Sequence, residues 1–295
     1  EAHRKFFGTW YNTYSFFALY ANIDGFDFES KTVEKRPEMD RWILSKLATL
    51  QQLVMDRMND FDPTPAARAL EDFVDRDLSN WYVRLNRRRF WKGEMNEDKL
   101  SAYQTLHHVL STLSQLASPF APFFSDWMWQ NLNGAEKSVH LTLFPSIQTK
   151  DVDQDLEQKM EFAQTISSMV LSLRKKEKIR VRQPLSRILI PADSPSMKQQ
   201  IEDVASIILS EVNVKALEFM EDTAGVVVKK IKPNFKSLGA RMGAKMKVVA
   251  GAIAALEQND IRSLEKTGAF HLFIDGESVS IDLNDVEIIS EDIPG

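Results

Sequence analysis

Between residues 39 and 58, apolar side chains return at helical intervals. Trp42, Ile43, Leu47, Leu50, Val54 and Met58 fall on one face of a helix. The rest of the first half repeats the pattern. Residues 4–21 carry Phe6, Phe7, Trp10, Tyr11, Tyr14, Phe16, Phe17 and Tyr20 nearly all round, which predicts a heavily packed helix. A polar linker over 23–37, punctuated by Gly25 and Pro37, separates these two elements. Thr64 as cap and Pro65 in the first helical position open a third helix. It runs through Ala66, Ala67, Leu70, Phe73, Val74, Leu78 and Trp81 towards Leu85 or beyond. Asn96, with Glu97 and Asp98 behind it, starts a fourth, which breaks near Ser118-Pro119. A short helix over 122–132 ends at Asn133-Gly134. Residues 139–143 read as extended, and one more helix spans 155–178. Four or five long amphipathic helices on short connections make a bundle, so the fold class is mainly α over this half.

The second half changes character. Short apolar runs at 188–190, 216–219, 225–231, 270–274 and 279–281 predict strands, with helices at 197–210 and 243–256. This is a smaller α+β region, with a seam near 220–224. The expected organisation is a helical bundle over 1–150, an α/β junction module over 151–220 and a small α+β module over 221–295.

The chain of 295 residues contains no cysteine, which excludes disulfides, thiolate zinc sites and a cysteine nucleophile. That fits a reducing, cytoplasmic setting. No apolar run reaches the roughly 18 residues that span a bilayer, so no membrane partner is expected. The opening Glu1-Ala2-His3 carries neither a signal-peptide pattern nor an initiator Met, and the sequence reads as a fragment. Net charge is −5, but its distribution is uneven. Residues 171–250 hold 16 Lys and Arg against 8 Asp and Glu; residues 251–295 hold 2 against 10.

Catalytic constellations are not evident. His3, His107, His108, His140 and His271 are scattered, and adjacent His107 and His108 point about 100° apart on a helix, so they cannot share a metal. No phosphate-loop signature follows a strand. Basic clusters are the stronger signal. The run from Asn80 to Lys92 sets Arg84, Arg87, Arg88, Arg89 and Lys92 among Trp81, Tyr82, Phe90 and Trp91. Arg84, Arg87 and Arg88 share a helix face at i, i+3 and i+4. Arginine offers forks for phosphate and a flat face for bases, and exposed aromatics stack on unpaired bases. Equally, the tryptophans can be core and the arginines can pair with Asp72, Asp75 and Asp77. A second patch holds Arg174, Lys175, Lys176, Lys178, Arg180 and Arg182; in part it is explained by cations favoured at a helix C-terminus. A third holds Lys229, Lys230, Lys232, Lys236, Arg241, Lys245 and Lys247. Contacts of this kind to phosphate give affinity and salt dependence rather than sequence choice.

Several motifs then carry a resemblance. Glu71-Asp72-Phe73-Val74-Asp75, Leu78-Ser79-Asn80-Trp81-Tyr82-Val83-Arg84 and Asn86-Arg87-Arg88-Arg89-Phe90-Trp91 resemble the anticodon-binding helical domain of isoleucyl-tRNA synthetases, a class I family. So do Leu116-Ala117-Ser118-Pro119-Phe120-Ala121-Pro122-Phe123, Ser138-Val139-His140-Leu141 and Arg182-Gln183-Pro184-Leu185. Glu211-Val212-Asn213-Val214-Lys215 and the run from Lys232 to Gly239 resemble the C-terminal extension of the longer, eukaryote-like branch, which also occurs in bacteria. The resemblance covers nearly the whole chain. Neither His-Ile-Gly-His nor Lys-Met-Ser-Lys-Ser occurs, so the catalytic and editing parts lie elsewhere.

The resemblance implies a parent ligase that activates isoleucine with ATP and Mg²⁺ and esterifies its tRNA. This piece is expected to need no cofactor, to be inactive alone and monomeric, and to have isoleucine tRNA and its own catalytic domain as partners. The residues expected on tRNA are Trp81, Arg84, Arg87, Arg88 and Arg89, then Lys175, Lys176, Arg180 and Arg182, then Lys232, Lys236 and Arg241. A stand-alone RNA-binding or protein-assembly module without catalysis is the competing reading.

Overall fold

The computed structural model describes the chain except for residues 1–2, 28–32, 34, 135–137, 147–151, 193, 221–226, 275–276 and 293–295. It divides into two compact units. One holds Glu1–Pro184 with Gln199–Asn213, the other Leu185–Lys198 with Val214–Gly295. The 151–220 stretch therefore contributes to both. Residues 28–32 and 34 of the expected linker and 221–224 of the expected seam lie outside the described residues.

The first unit is a helical bundle. It comprises α1 (Thr9–Asp24), α2 (Glu38–Asn59), α3 (Pro63–Asp72), α4 (Arg84–Trp91), α5 (Glu97–Ala117), α6 (Pro122–Asn133) and α7 (Gln154–Lys176). Helix α5 is the central one, packed against α1, α2, α3, α4 and α6. Its start is set by Asn96, whose side chain accepts from Lys99 N at 2.8 Å. Large side chains fill the interior, with Trp10, Trp42, Tyr82, Phe90 and Tyr103 fully buried.

Three local expectations are corrected. Helix α1 buries one stripe only, Trp10, Thr13, Phe17 and Ala21. Tyr11 and Tyr14 instead lie beside Trp127 of α6, with ring centroids 5.8 and 5.3 Å away. Helix α3 starts at Pro63 rather than Pro65. Both prolines fit its first turn, where the N–H groups have no intrahelical acceptor. Residues 139–141 form a 3₁₀ turn, because the Asp126 carboxylate takes the Ser138 hydroxyl (2.6 Å) and Val139 N–H (2.9 Å).

Between α3 and α4 the chain stays helical but widens into a π-helix, Phe73–Val83. Residues five apart come into register there. Asn80 Nδ2 accordingly donates to Asp75 Oδ1 at 3.0 Å.

In the second unit, β1 (Leu185–Pro191) and β2 (Val214–Met220) pair in parallel, from Leu185 opposite Val214 to Pro191 opposite Met220. The chain between them carries α8 (Pro195–Asp203) and α9 (Ala205–Val212), of which α9 and residues 199–203 belong to the first unit. Two antiparallel pairs follow. Strand β3 (Val227–Pro233) pairs with β6 (Val286–Asp292), and β4 (Ala269–Ile274) with β5 (Glu277–Asp282). Around them lie α10 (Phe235–Met242), α11 (Met246–Ala254) and α12 (Gln258–Thr267). Ile231, Leu238, Val249, Ile253, Leu264, Leu272 and Ile281 form their shared core. Helices α10 and α12 and strand β6 are not evident in the periodicity.

Candidate nucleic-acid interface

The densest basic segment is α4, and its arginines do different things. Arg89 is held inside. Its guanidinium makes a two-pronged pair with Asp40, at 2.7 and 2.9 Å, and also meets Asp98 at 2.9 Å. Asp40 is fully buried and accepts two further bonds, from Tyr82 Oη (2.8 Å) and Ser101 Oγ (2.6 Å). Burial alone would lower the Arg89 pKa, but the hydrogen bonds and charge of Asp40 more than reverse this and raise it. Burial and the Asp40 charge likewise push the Tyr82 phenol well above its ordinary value. Arg89, expected on a nucleic acid, is thus a framework residue.

Arg84 and Arg87 reach different neighbours. Arg84 Nη1 meets Glu211 of α9 at 2.5 Å, Nε donates to Asn80 O, and the guanidinium lies 5.9 Å from the Trp81 ring. Arg87 lies over Phe16 of α1 at 5.8 Å. Arg88 is exposed and has no partner among the described residues. The anticipated acceptors Asp72, Asp75 and Asp77 take none of these four arginines. The face shared by Arg84, Arg87 and Arg88 is therefore divided by what each neighbouring helix offers.

Trp81 is buried, only 6% exposed, and its Nε1 has no acceptor among the described residues. With Arg84 it lines a cleft of ≈ 570 Å³. Arg76, Gln164, Met169 and Glu211 complete the walls that matter chemically. Arg76 shares the Gln164 amide oxygen through two bonds, 3.1 and 2.8 Å. Gln164 Nε2 donates in turn to Asp77 Oδ1 at 2.9 Å. Burial holds the Asp77 carboxyl above its usual range, and Gln164, Lys46 and Arg76 only partly offset this. An apolar wall beside planar cations and amides suits a flat, hydrogen-bonding ring better than it suits covalent chemistry. Arg76, Gln164 and Glu211 were not among the expected site residues, although Glu211 stands in one of the motifs that carry the resemblance. Glu211 lies 127 residues from Arg84, and nothing local marks the pair.

The second patch divides in the same way. Arg174 is buried and donates to three carbonyls, Arg180 O (3.1 Å), Gln183 O (3.0 Å) and Asn213 O (3.0 Å). Lys175, Lys176, Arg180 and Arg182 are exposed. In the other unit, Lys232 and Lys236 are exposed, whereas Arg241 is tied to buried Asp285 at 2.7 Å and to Ser280 O at 3.1 Å. The Lys229 side chain lies outside the described residues.

Other features are structural. His107 Nε2 donates to Leu132 O, 3.1 Å away, and the ring lies against Phe17; burial lowers its pKa more than that bond raises it. Among the described residues no group of three or more His, Cys, Asp or Glu could hold a metal ion. No helix among them is long and apolar enough to cross a membrane.

Residues 40–189 match the family described as the anticodon-binding domain of tRNA ligase. The chain is 56% identical to the isoleucine–tRNA ligase of Porphyromonas gingivalis, over 100% of this chain and 26% of that protein. It is 53% identical to that of Cytophaga hutchinsonii, over 100% and 27%. With that of Clostridium novyi it shares 38% identity, over 98% and 28%. The chain spans about a quarter of the length of these curated relatives.

Proposed function

The chain belongs to the anticodon-binding domain family of tRNA ligases, and from that premise we propose that it grips the anticodon stem-loop of isoleucine tRNA. The observation that carries this reading is the exposed pair Arg87 and Arg88 beside the Trp81–Arg84 cleft, all within the segment matched to the family. Arg87 and Arg88 take backbone phosphates. An unpaired loop base enters the cleft, where the apolar wall supports it and Arg84, Gln164 and Glu211 meet its edge. The Arg84–Glu211 ion pair gives Arg84 a fixed direction before RNA arrives. Lys175, Lys176, Arg180 and Arg182 add phosphate contacts, as do Lys232 and Lys236. Trp81, Arg89 and Arg241 serve as framework rather than as direct ligands of phosphate.

The whole protein is then an isoleucine–tRNA ligase. Its remaining parts supply activation of isoleucine with ATP and Mg²⁺ and transfer to the tRNA, and this chain alone is inactive. Residence in the cytoplasm and a monomeric state complete the proposal. The assembly-module alternative draws support from exposed Tyr11, Phe123 and Trp127 on α1 and α6.

The test is direct binding of the chain to isoleucine tRNA and to the same tRNA with an altered anticodon, at low and high salt. The expected result is selective binding that weakens steeply with salt. Salt-insensitive or equal binding to both tRNAs would overturn anticodon recognition.

A further inference from the structure

Of the exposed aromatic side chains, three stand in very different surroundings. Phe61 is 93% exposed but stands between Asp60 and Asp62. Phe123 is 91% exposed and has no cation within five residues on either side. Phe235 is 64% exposed, and its surroundings are basic. From Thr223 to Leu256 the sequence holds seven Lys and Arg and no Asp or Glu.

Phe235 is the first residue of α10, just after β3 ends at Pro233. Lys232 and Lys236 flank it, both exposed and both without a partner among the described residues. Glu287 stands opposite Lys232 across the β3–β6 pair, yet forms no ion pair with it. Two other nearby carboxylates are committed elsewhere: Asp285 is buried against Arg241, and Asp282 accepts from Asn284 N at 2.8 Å. The turn itself is rigid. Asn234 accepts from Lys236 N (3.1 Å), donates to Asn284 O (3.0 Å), and its own N–H meets Asp285 O (2.9 Å). Because Asn234 already closes the start of α10, any anion must be held by the lysines.

We propose that Phe235, with Lys232 and Lys236, is a second RNA contact, where one unpaired nucleotide stacks on the ring and the lysines hold its flanking phosphates. A rigidly mounted aromatic loses little freedom on stacking, and its match with any base face makes it tolerant of sequence. The neighbouring cations select a polyanion over an apolar or basic partner. This inference rests on the tRNA reading above, but names a site separate from the Trp81–Arg84 cleft.

The experiment uses the full chain and an isoleucine anticodon stem-loop RNA carrying aminopurine at successive loop positions. Wild type, Phe235→Ala, Phe235→Tyr and, as a bundle control, Arg88→Ala are compared for affinity, aminopurine quenching and melting temperature. Phe235→Ala is expected to weaken binding by about tenfold and to abolish quenching at one loop position, with melting unchanged. Phe235→Tyr should keep both, because the ring is retained. Arg88→Ala should weaken binding yet leave that quenching intact. If Phe235→Ala binds and quenches like wild type while Arg88→Ala is weakened, the platform is overturned and the tRNA reading stands. Equal loss in Phe235→Ala and Phe235→Tyr would make Phe235 a packing residue and overturn stacking. If wild type does not bind the RNA, both ideas fail together.

Discussion

In the bundle, Asp40 sits at zero exposure with Arg89, Tyr82 and Ser101 donating to it. Lys99 is equally enclosed, its Nζ 2.6 Å from Asp24, which also accepts from Tyr103 Oη at 2.6 Å. Burial raises the Asp24 pKa, but these bonds from Lys99 and Tyr103 and the Lys99 charge bring it below the ordinary value. The C-terminal unit is built otherwise. Its buried apolar side chains are all Ile, Leu and Val, and Asp285 is its one buried polar residue among those described. The contrast separates two ways of specifying a structure. In the bundle, polar partners must meet at fixed places or leave a buried charge alone. In the smaller unit, aliphatic shape and strand pairing fill most of the interior, and the Arg241–Asp285 pair is its one ion pair to a buried carboxylate among the described residues.

This contrast can be broken in order of expected effect. Arg89→Ala should destabilise the bundle by about 3–5 kcal/mol, since it strands the Asp40 carboxylate in the interior. Urea unfolding measures it, and a loss under about 1 kcal/mol would mean that Asp40 finds water or another donor. Ile253→Ala removes a fully buried side chain from the aliphatic core and should cost about 2–4 kcal/mol. That loss should be the same at acid and neutral pH; a pH-dependent loss would show that ionic groups support this unit too.

His107 sharpens the comparison further. Its folded pKa is depressed below the ordinary 6.5, so the unfolded chain binds the proton first. Its contribution to stability is present above pH 6.5 and is lost as pH falls towards the folded value. Melting of wild type should therefore drop below pH 6.5 more steeply than that of His107→Gln, and parallel curves would remove His107 from the account. The smallest structural effect belongs to Arg88→Ala, within about 0.5 kcal/mol of wild type, because an exposed unpaired cation contributes little to folding. Its effect should fall on RNA affinity, as a loss on the order of fivefold with a shallower salt dependence. A large drop in melting temperature would place Arg88 with Arg89 as framework.

Much of the bundle was legible because its helices exceed two turns and carry an apolar stripe and clear ends. Strand β6 was not: Val286-Glu287-Ile288-Ile289-Ser290-Glu291-Asp292 reads as acidic, and only its pairing with the lysine-bearing β3 explains it. Helices α10 and α12 are eight and ten residues long, too short for periodicity to separate from loop. At the candidate site, residue type was legible but commitment was not. Arg88 and Arg89 are adjacent and chemically identical in sequence. What distinguishes them is Asp40, 49 residues away, which faces one and not the other. The cleft depends on the meeting of the π-helix and the start of α4 with α7 and α9, and no local pattern announces that.

Arg174 has a consequence for motion. Its guanidinium bonds to the 180–183 loop and to Asn213, at the end of α9, and finds no acid among its bonded partners. Asn213 returns a bond to Val181 O at 2.9 Å. Two chain segments some thirty residues apart are thus fastened through two side chains, Arg174 and Asn213. They cannot fray independently: protection of the amides around 180–183 and 209–213 against hydrogen exchange should rise and fall as one cooperative unit, which sets how readily the basic loop of Arg180 and Arg182 can reshape when something charged approaches it.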